Sequence, residues 1–114
     1  MTGPSRGEIW LVDLDPTRGH EQAGRRPGLV LSVDSFNQGP AGLVVIVPVT
    51  TKAKGISLHV EITPPDGGVK QVSFAKCEDV RSVSKQRLST RLGKIKPHTL
   101  AAVEVRVRRL LGLP

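Results

Sequence analysis

The segment Gly19-His20-Glu21-Gln22-Ala23-Gly24-Arg25-Arg26-Pro27 gathers an imidazole, a carboxylate, an amide and two guanidiniums into one short stretch. Histidine titrates near neutrality, and the bracketing glycines let the backbone bring such side chains together. A set of this kind can grip a phosphate and move protons around it, which points to cleavage of RNA. The ordinary alternative is a polar surface hairpin, because loops are generally solvated.

The rest of the chain limits the possibilities. At 114 residues it is long enough for one domain with its own core, and residues 1–114 read as a single domain with 1–5 as a flexible N-terminal tail. No apolar run approaches the length of a transmembrane helix, and Met1-Thr2-Gly3-Pro4-Ser5 does not resemble a signal peptide. A single cysteine, Cys77, excludes an internal disulfide and suits a reducing cytoplasm. His20, His59 and His98 are scattered and form no zinc pattern, so the expected chemistry needs no protein-bound metal and no cofactor. Charge is uneven. Residues 1–80 hold eight Lys/Arg against nine Asp/Glu, whereas residues 81–114 hold nine Lys/Arg against the single acid Glu104. Such a basic third attracts polyanions, and an acidic protein partner would suit it equally.

Turn residues punctuate the chain at Asp15-Pro16, Gly19, Gly24, Gly39-Pro40, Gly55 and Pro64-Pro65-Asp66-Gly67-Gly68. The β-branched runs between them predict strands near 7–13, 28–33, 42–50, 57–63, 71–83 (broken or bulged) and 91–96. Leu43-Val44-Val45-Ile46-Val47 is continuously apolar, as expected of a central strand buried on both faces. Leu58, Val60 and Ile62 alternate with polar residues, as in a half-buried strand. Pro97 suits a first helical turn, and Leu100, Val103, Val107 and Leu110 follow at helical spacing, with Gly112 and Pro114 as the stop. The expected fold is mainly β, a small antiparallel sheet or barrel with one C-terminal helix.

Gly7-Glu8-Ile9-Trp10-Leu11-Val12-Asp13-Leu14-Asp15-Pro16-Thr17, then Gly19-His20-Glu21-Gln22 and Arg26-Pro27, closely resembles the opening of the MazF/PemK/Kid toxins. Val47-Pro48-Val49-Thr50-Thr51 resembles that family's third-strand end, and Lys76-Cys77-Glu78-Asp79-Val80-Arg81-Ser82-Val83 with Lys85-Gln86-Arg87-Leu88 its later signature. The resemblance runs from about Arg6 to Leu111. It implies an SH3-like barrel with a terminal helix, a homodimer, and metal-independent cleavage of single-stranded messenger RNA at short sequences. It also implies an antitoxin with an acidic binding segment.

Cleavage of that kind needs a base for the 2′-hydroxyl, an acid for the departing 5′-oxygen and positive charge at the phosphorane. The resemblance assigns the phosphate to Arg26, whose planar fork fits phosphate oxygens, with Arg25 a weaker candidate. Thr50 matches an active-site threonine, with Thr51 beside it. Both are also ordinary strand residues. Lys76 and Glu78 lie two apart on a predicted strand and so on one face; Cys77 points the other way as a buried small hydrophobe. In Kid-like members the Lys76 and Glu78 positions hold an arginine and an aspartate that act as acid and base, helped by a histidine matching His20. In the MazF branch the emphasis falls on the glutamate matching Glu21. This chain carries both sets, so Glu78, Glu21 and His20 all stand as the base. Without that context Lys76 and Glu78 are an exposed ion pair of small energetic weight.

Gln22, Phe36-Asn37, Lys52 and Lys54 are candidate RNA contacts, Phe36 by stacking and the lysines by tracking phosphates. Arg81, Lys85, Arg87 and Arg91 form a basic strip for RNA or antitoxin. His59 and His98 read as structural or solvated, and Trp10 as core or a base-stacking surface. Two other readings remain: a non-catalytic protein-binding toxin of the same fold, similar to the CcdB gyrase poisons, and a degenerate member that binds RNA or antitoxin without cutting.

Overall fold

The structure is a computed structural model that describes residues 3–14 and 24–114. Seven strands pair throughout in antiparallel fashion: β1 (Glu8–Asp13), β2 (Arg25–Val30), β3 (Leu43–Thr50), β4 (His59–Ile62), β5 (Ser73–Lys76), β6 (Arg81–Ser84) and β7 (Leu88–Lys94). Their order is β4-β5-β3-β2-β1-β7, with β6 also on β3. A four-residue helix α1 (Asp34–Asn37) follows β2, and α2 (Pro97–Leu111) closes the chain. The expected class, mainly β with a C-terminal helix, is the one observed.

The continuous apolar run of β3 is explained by burial on both faces. Val47 and Val49 join Ile9, Leu29, Val60, Ile62, Ala75 and Ile95 beneath Val103 and Val107 of α2. Their alternating neighbours Val44 and Ile46 join Val12, Leu14 and Val30 in a second cluster on the opposite face, against which Trp10 packs. Asp66 anchors the start of α2 from outside the helix. Its Oδ1 accepts the Lys96 amide at 2.8 Å and its Oδ2 the Thr99 hydroxyl at 2.7 Å. Gly112, at φ 69, ends the helix in the left-handed region.

Several boundaries differ from expectation. β2 begins at Arg25 rather than Gly28, so Arg26 and Pro27 lie in a strand. Pro27 is tolerated because β3 pairs with β2 only from Gly28 onward, leaving residues 25–27 as an edge where a missing N–H removes no ladder bond. The predicted 71–83 strand is two strands separated by a 3-10 turn at Cys77–Asp79. Leu110, assigned to the buried stripe, is 40% exposed because the last helical turn passes beyond the sheet. Residues 3–5, expected within a flexible tail, are tied down. Pro4 is buried, and the Ser5 amide donates to Glu8 Oε1 at 2.8 Å.

Glu8 also accepts Arg91 Nε at 2.6 Å and Trp10 Nε1 at 3.0 Å. Burial alone would raise its pKa, but the hydrogen bonds from Arg91, Trp10 and the Ser5 amide outweigh it and hold the carboxyl below its ordinary range. A carboxyl depressed on folding contributes stability above its unfolded pKa, and that contribution is lost as pH falls through the folded value. Glu8→Gln should therefore show a shallower fall in Tm than the wild type between neutral pH and about pH 3. Parallel melts with equal slopes would contradict this.

Candidate active site

His20, Glu21 and Gln22 lie outside the described residues. The ends of their segment are nevertheless fixed. Asp13 sits opposite Arg25 in the β1–β2 ladder, and the Leu14 amide donates to the Gly24 carbonyl at 3.0 Å. The segment therefore springs from the same end of the hairpin that carries Arg25 and Arg26, both exposed.

Pleating decides which other candidates share that face. β2 and β3 pair as Gly28↔Pro48, Leu29↔Val47 and Val30↔Ile46, and Arg26, opposite Val12 of β1, has the parity of Gly28 and Val30. On the other edge of β3, Thr50 is paired with Phe74. Phe74 is paired with Glu61, and Lys76 with His59. Residues of opposite parity, namely Leu29, Val49, Ala75, Val60 and Ile62, pack into the cluster beneath α2. Arg26, Thr50, Phe74, Lys76 and His59 therefore share the face away from the helix. Thr50 is 9% exposed, and its Oγ1 accepts the Lys52 amide at 3.2 Å, which turns the chain out of β3. Thr51, Lys52 and Lys54 are exposed beyond that turn.

Lys76 and Glu78 do not stand side by side on one strand, because β5 ends at Lys76 and Glu78 lies in the following 3-10 turn. The expected ion pair between them is replaced by two others. Lys76 Nζ lies 3.8 Å from Asp79 Oδ2, which also takes Arg81 at 3.3 Å. Glu78 Oε2 lies 2.8 Å from His59 Nε2, across from β5 on β4. His59 is thus not solvated, since its side chain is 3% exposed and lies against a candidate base. Strand alternation placed it on the polar face, and nothing in its sequence neighbourhood marks a partner nineteen residues away. Cys77 is buried as expected. Burial pushes its thiol up to about 11, the Arg106 guanidinium opposing this and Glu78 adding to it. At neutral pH it is therefore not a nucleophile.

Other expected contacts are corrected. Asn37 is 1% exposed: its Oδ1 accepts the Ser32 hydroxyl, and its Nδ2 donates to the Ser32 carbonyl at 2.9 Å. It closes the β2–β3 connection and is not available to a nucleobase, whereas Phe36 is 38% exposed. The basic strip is largely engaged within the fold. Lys85 Nζ donates to the Asn37 carbonyl at 2.8 Å, Arg87 to the Asp13 carbonyl at 3.0 Å, and Arg91 is held by Glu8. Arg81 and Arg87 line a polar recess of about 310 Å³ with Leu14, Leu43, Ser82, Val83 and Ser84. Among the described residues no cluster of three His, Cys, Asp or Glu side chains could hold a metal ion, and no helix is long and apolar enough to cross a membrane.

With this geometry in hand, comparison with known proteins is specific. Residues 5–111 match the family described as PemK-like, MazF-like toxin of type II toxin–antitoxin system. The endoribonuclease toxin MazF of Escherichia coli strain K12 is 34% identical over 110 residues, spanning 96% of this chain and 95% of that protein. The crystal structure of MazF from Deinococcus radiodurans superposes with a TM-score of 0.86 at 34% identity, covering 99% of this chain and all of that one. A MazE–MazF structure from the same organism gives a TM-score of 0.79 at 29% identity, with full coverage of both chains.

Proposed function

This chain belongs to the PemK-like, MazF-like toxin family of type II toxin–antitoxin systems and is an endoribonuclease toxin, and we propose that it cuts single-stranded messenger RNA at short sequences through attack of the 2′-hydroxyl. The observation that carries this reading is the convergence of Arg26, Thr50 and Lys76 on one sheet face, with Glu78 in the turn that follows. The Arg26 guanidinium holds the scissile phosphate through two parallel hydrogen bonds. The Thr50 hydroxyl donates to a non-bridging oxygen without adding charge. Glu78 takes the 2′-hydroxyl proton, the O2′–P bond forms as the P–O5′ bond breaks, and the leaving O5′ takes a proton from Lys76 Nζ. The products are a 2′,3′-cyclic phosphate and a 5′-hydroxyl. No step calls on a metal.

Glu21 and His20 are the competing bases, and Gln22, Arg25, Thr51, Phe36, Lys52 and Lys54 the surrounding RNA contacts. The protein works as a cytoplasmic homodimer, and a cognate antitoxin with an acidic segment covers the groove. The likeness to a MazE–MazF structure supports that partner.

The test is incubation of the purified, antitoxin-free protein with a long single-stranded RNA in excess EDTA, followed by mapping of the ends. Discrete cuts bearing cyclic phosphates are expected and would reveal the recognition sequence. Intact RNA, with folded dimeric protein, would replace catalysis by a binding-only toxin. Glu78→Gln and Glu21→Gln then separate the bases: a variant with an unchanged pH–rate profile has not lost the base.

A further inference from the structure

Among the described residues His59 is the one histidine held against a carboxylate, and the contact is built from both sides. β4 and β5 pair His59 with Lys76, and the 3-10 turn immediately after Lys76 brings Glu78 back over the imidazole. His59 Nε2 is 2.8 Å from Glu78 Oε2, the imidazole is 3% exposed, and its buried Nδ1 has no hydrogen-bond partner among the described residues. The cations nearby do not compete for the carboxylate, since Lys76 pairs with Asp79 and Arg106 donates to the Ser57 carbonyl at 3.0 Å. No other hydrogen bond to Glu78 is made among the described residues, and its side chain is 31% exposed.

An ionised carboxylate has only lone pairs to offer, so a contact this short requires the ring proton on Nε2. The ring therefore donates Nε2–H to one oxygen of a carboxylate whose other oxygen accepts no hydrogen bond from the described residues. We propose that His59 is a positioning residue of the cleavage site. It clamps Glu78 through Oε2 so that Oε1 accepts the 2′-hydroxyl proton. This rests on Glu78 being the base.

The experiment is a double-mutant cycle on a defined single-stranded oligoribonucleotide, with kcat and KM measured separately. Glutamine places its amide nitrogen near the position of histidine Nε2, so His59→Gln restores the donor and His59→Ala removes it. His59→Ala should lower kcat by about 10–100-fold with KM little changed, the size expected from loosening a reacting group. His59→Gln should recover most of that loss. In a Glu78→Gln background His59→Ala should add no further loss, and ¹⁵N NMR of the wild type should report a proton on Nε2.

Wild-type cleavage by Glu78→Gln would overturn the assignment of the base. An impaired Glu78→Gln beside a fully active His59→Ala would leave the base standing and overturn the clamp. Equal losses in His59→Ala and His59→Gln, or the Nδ1–H tautomer, would reduce His59 to a packing residue. The NMR readout decides even if the alanine variant fails to fold.

Discussion

Arg26→Ala should lower the cleavage rate by at least about 10²-fold, the usual effect of removing one preorganised group from a developing oxyanion, with no change in melting temperature. Arg26 is exposed at the edge of β2, with its neighbour Pro27 paired to Leu11, so truncation removes no part of either apolar cluster. Arg26 shares the sheet face away from α2 with Thr50, the one hydroxyl of β3, which is 9% exposed. Arg26→Lys keeps the charge but not the planar fork, and should recover only part of the loss. Kinetics on a defined oligoribonucleotide, beside thermal melts, decide the matter. A fall in kcat and kcat/KM together identifies a contact made in the transition state, whereas a rise in KM alone would reassign Arg26 to ground-state binding. Cleavage near the wild-type rate would remove it from the mechanism.

Gly93→Ala should have the largest effect on folding, a loss of about 3 kcal/mol or more from overpacking against atoms unable to yield. A methyl at Gly93 would lie 2.7 Å from the Gly67 carbonyl carbon and the Gly68 nitrogen. The approach is reciprocal, because a methyl at Gly68 would fall 2.0 Å from the Leu92 carbonyl oxygen. Backbone thus meets backbone where β7 crosses the 3-10 turn at Asp66–Gly68. That turn also carries Asp66, the anchor of α2, so separating the two loosens the helix that covers the core. Gly3→Ala is the control, since a methyl there meets nothing within 4 Å. With total stabilities of about 5–15 kcal/mol typical of such domains, the Gly93 variant should unfold at markedly lower denaturant concentration. A Gly93→Ala midpoint indistinguishable from that of Gly3→Ala would refute the argument.

The fold was most legible where one residue pattern answers to one physical cause. The unbroken apolar run of β3 and the Pro97-to-Gly112 helix came through because burial on two faces and helix capping each leave a local mark. β2 was misjudged by three residues because proline reads as a breaker, and only the pairing shows that residues 25–27 form an edge. A four-residue helix has no periodicity to detect, so Asn37 looked like a loop amide available to a base. The basic strip looked free because its acceptors, the carbonyls of Asp13 and Asn37 and the carboxylate of Glu8, are distant in sequence. Arg26 and Thr50 were found by resemblance to a family, and strand parity puts both on the face away from α2. The His59–Glu78 contact lies beyond any local signal, because it arises from a strand pairing and a turn that together fold one side chain onto the other.

The strand order also bears on how the protein is made. β1, early in the sequence, pairs on one side with β7 near its other end, and the cluster around Ile9, Leu29 and Val47 is closed by Val103 and Val107. The β1–β7 ladder joins residues from opposite ends of the sheet sequence, so the order carries a loop-closure cost that only late contacts repay. A nascent chain ending before Leu88 leaves one edge of β1 unpaired and the α2 side of the sheet uncovered. The core beneath the sheet is thus closed only once residues 88–111 are in place, so the fold is completed by its last two elements.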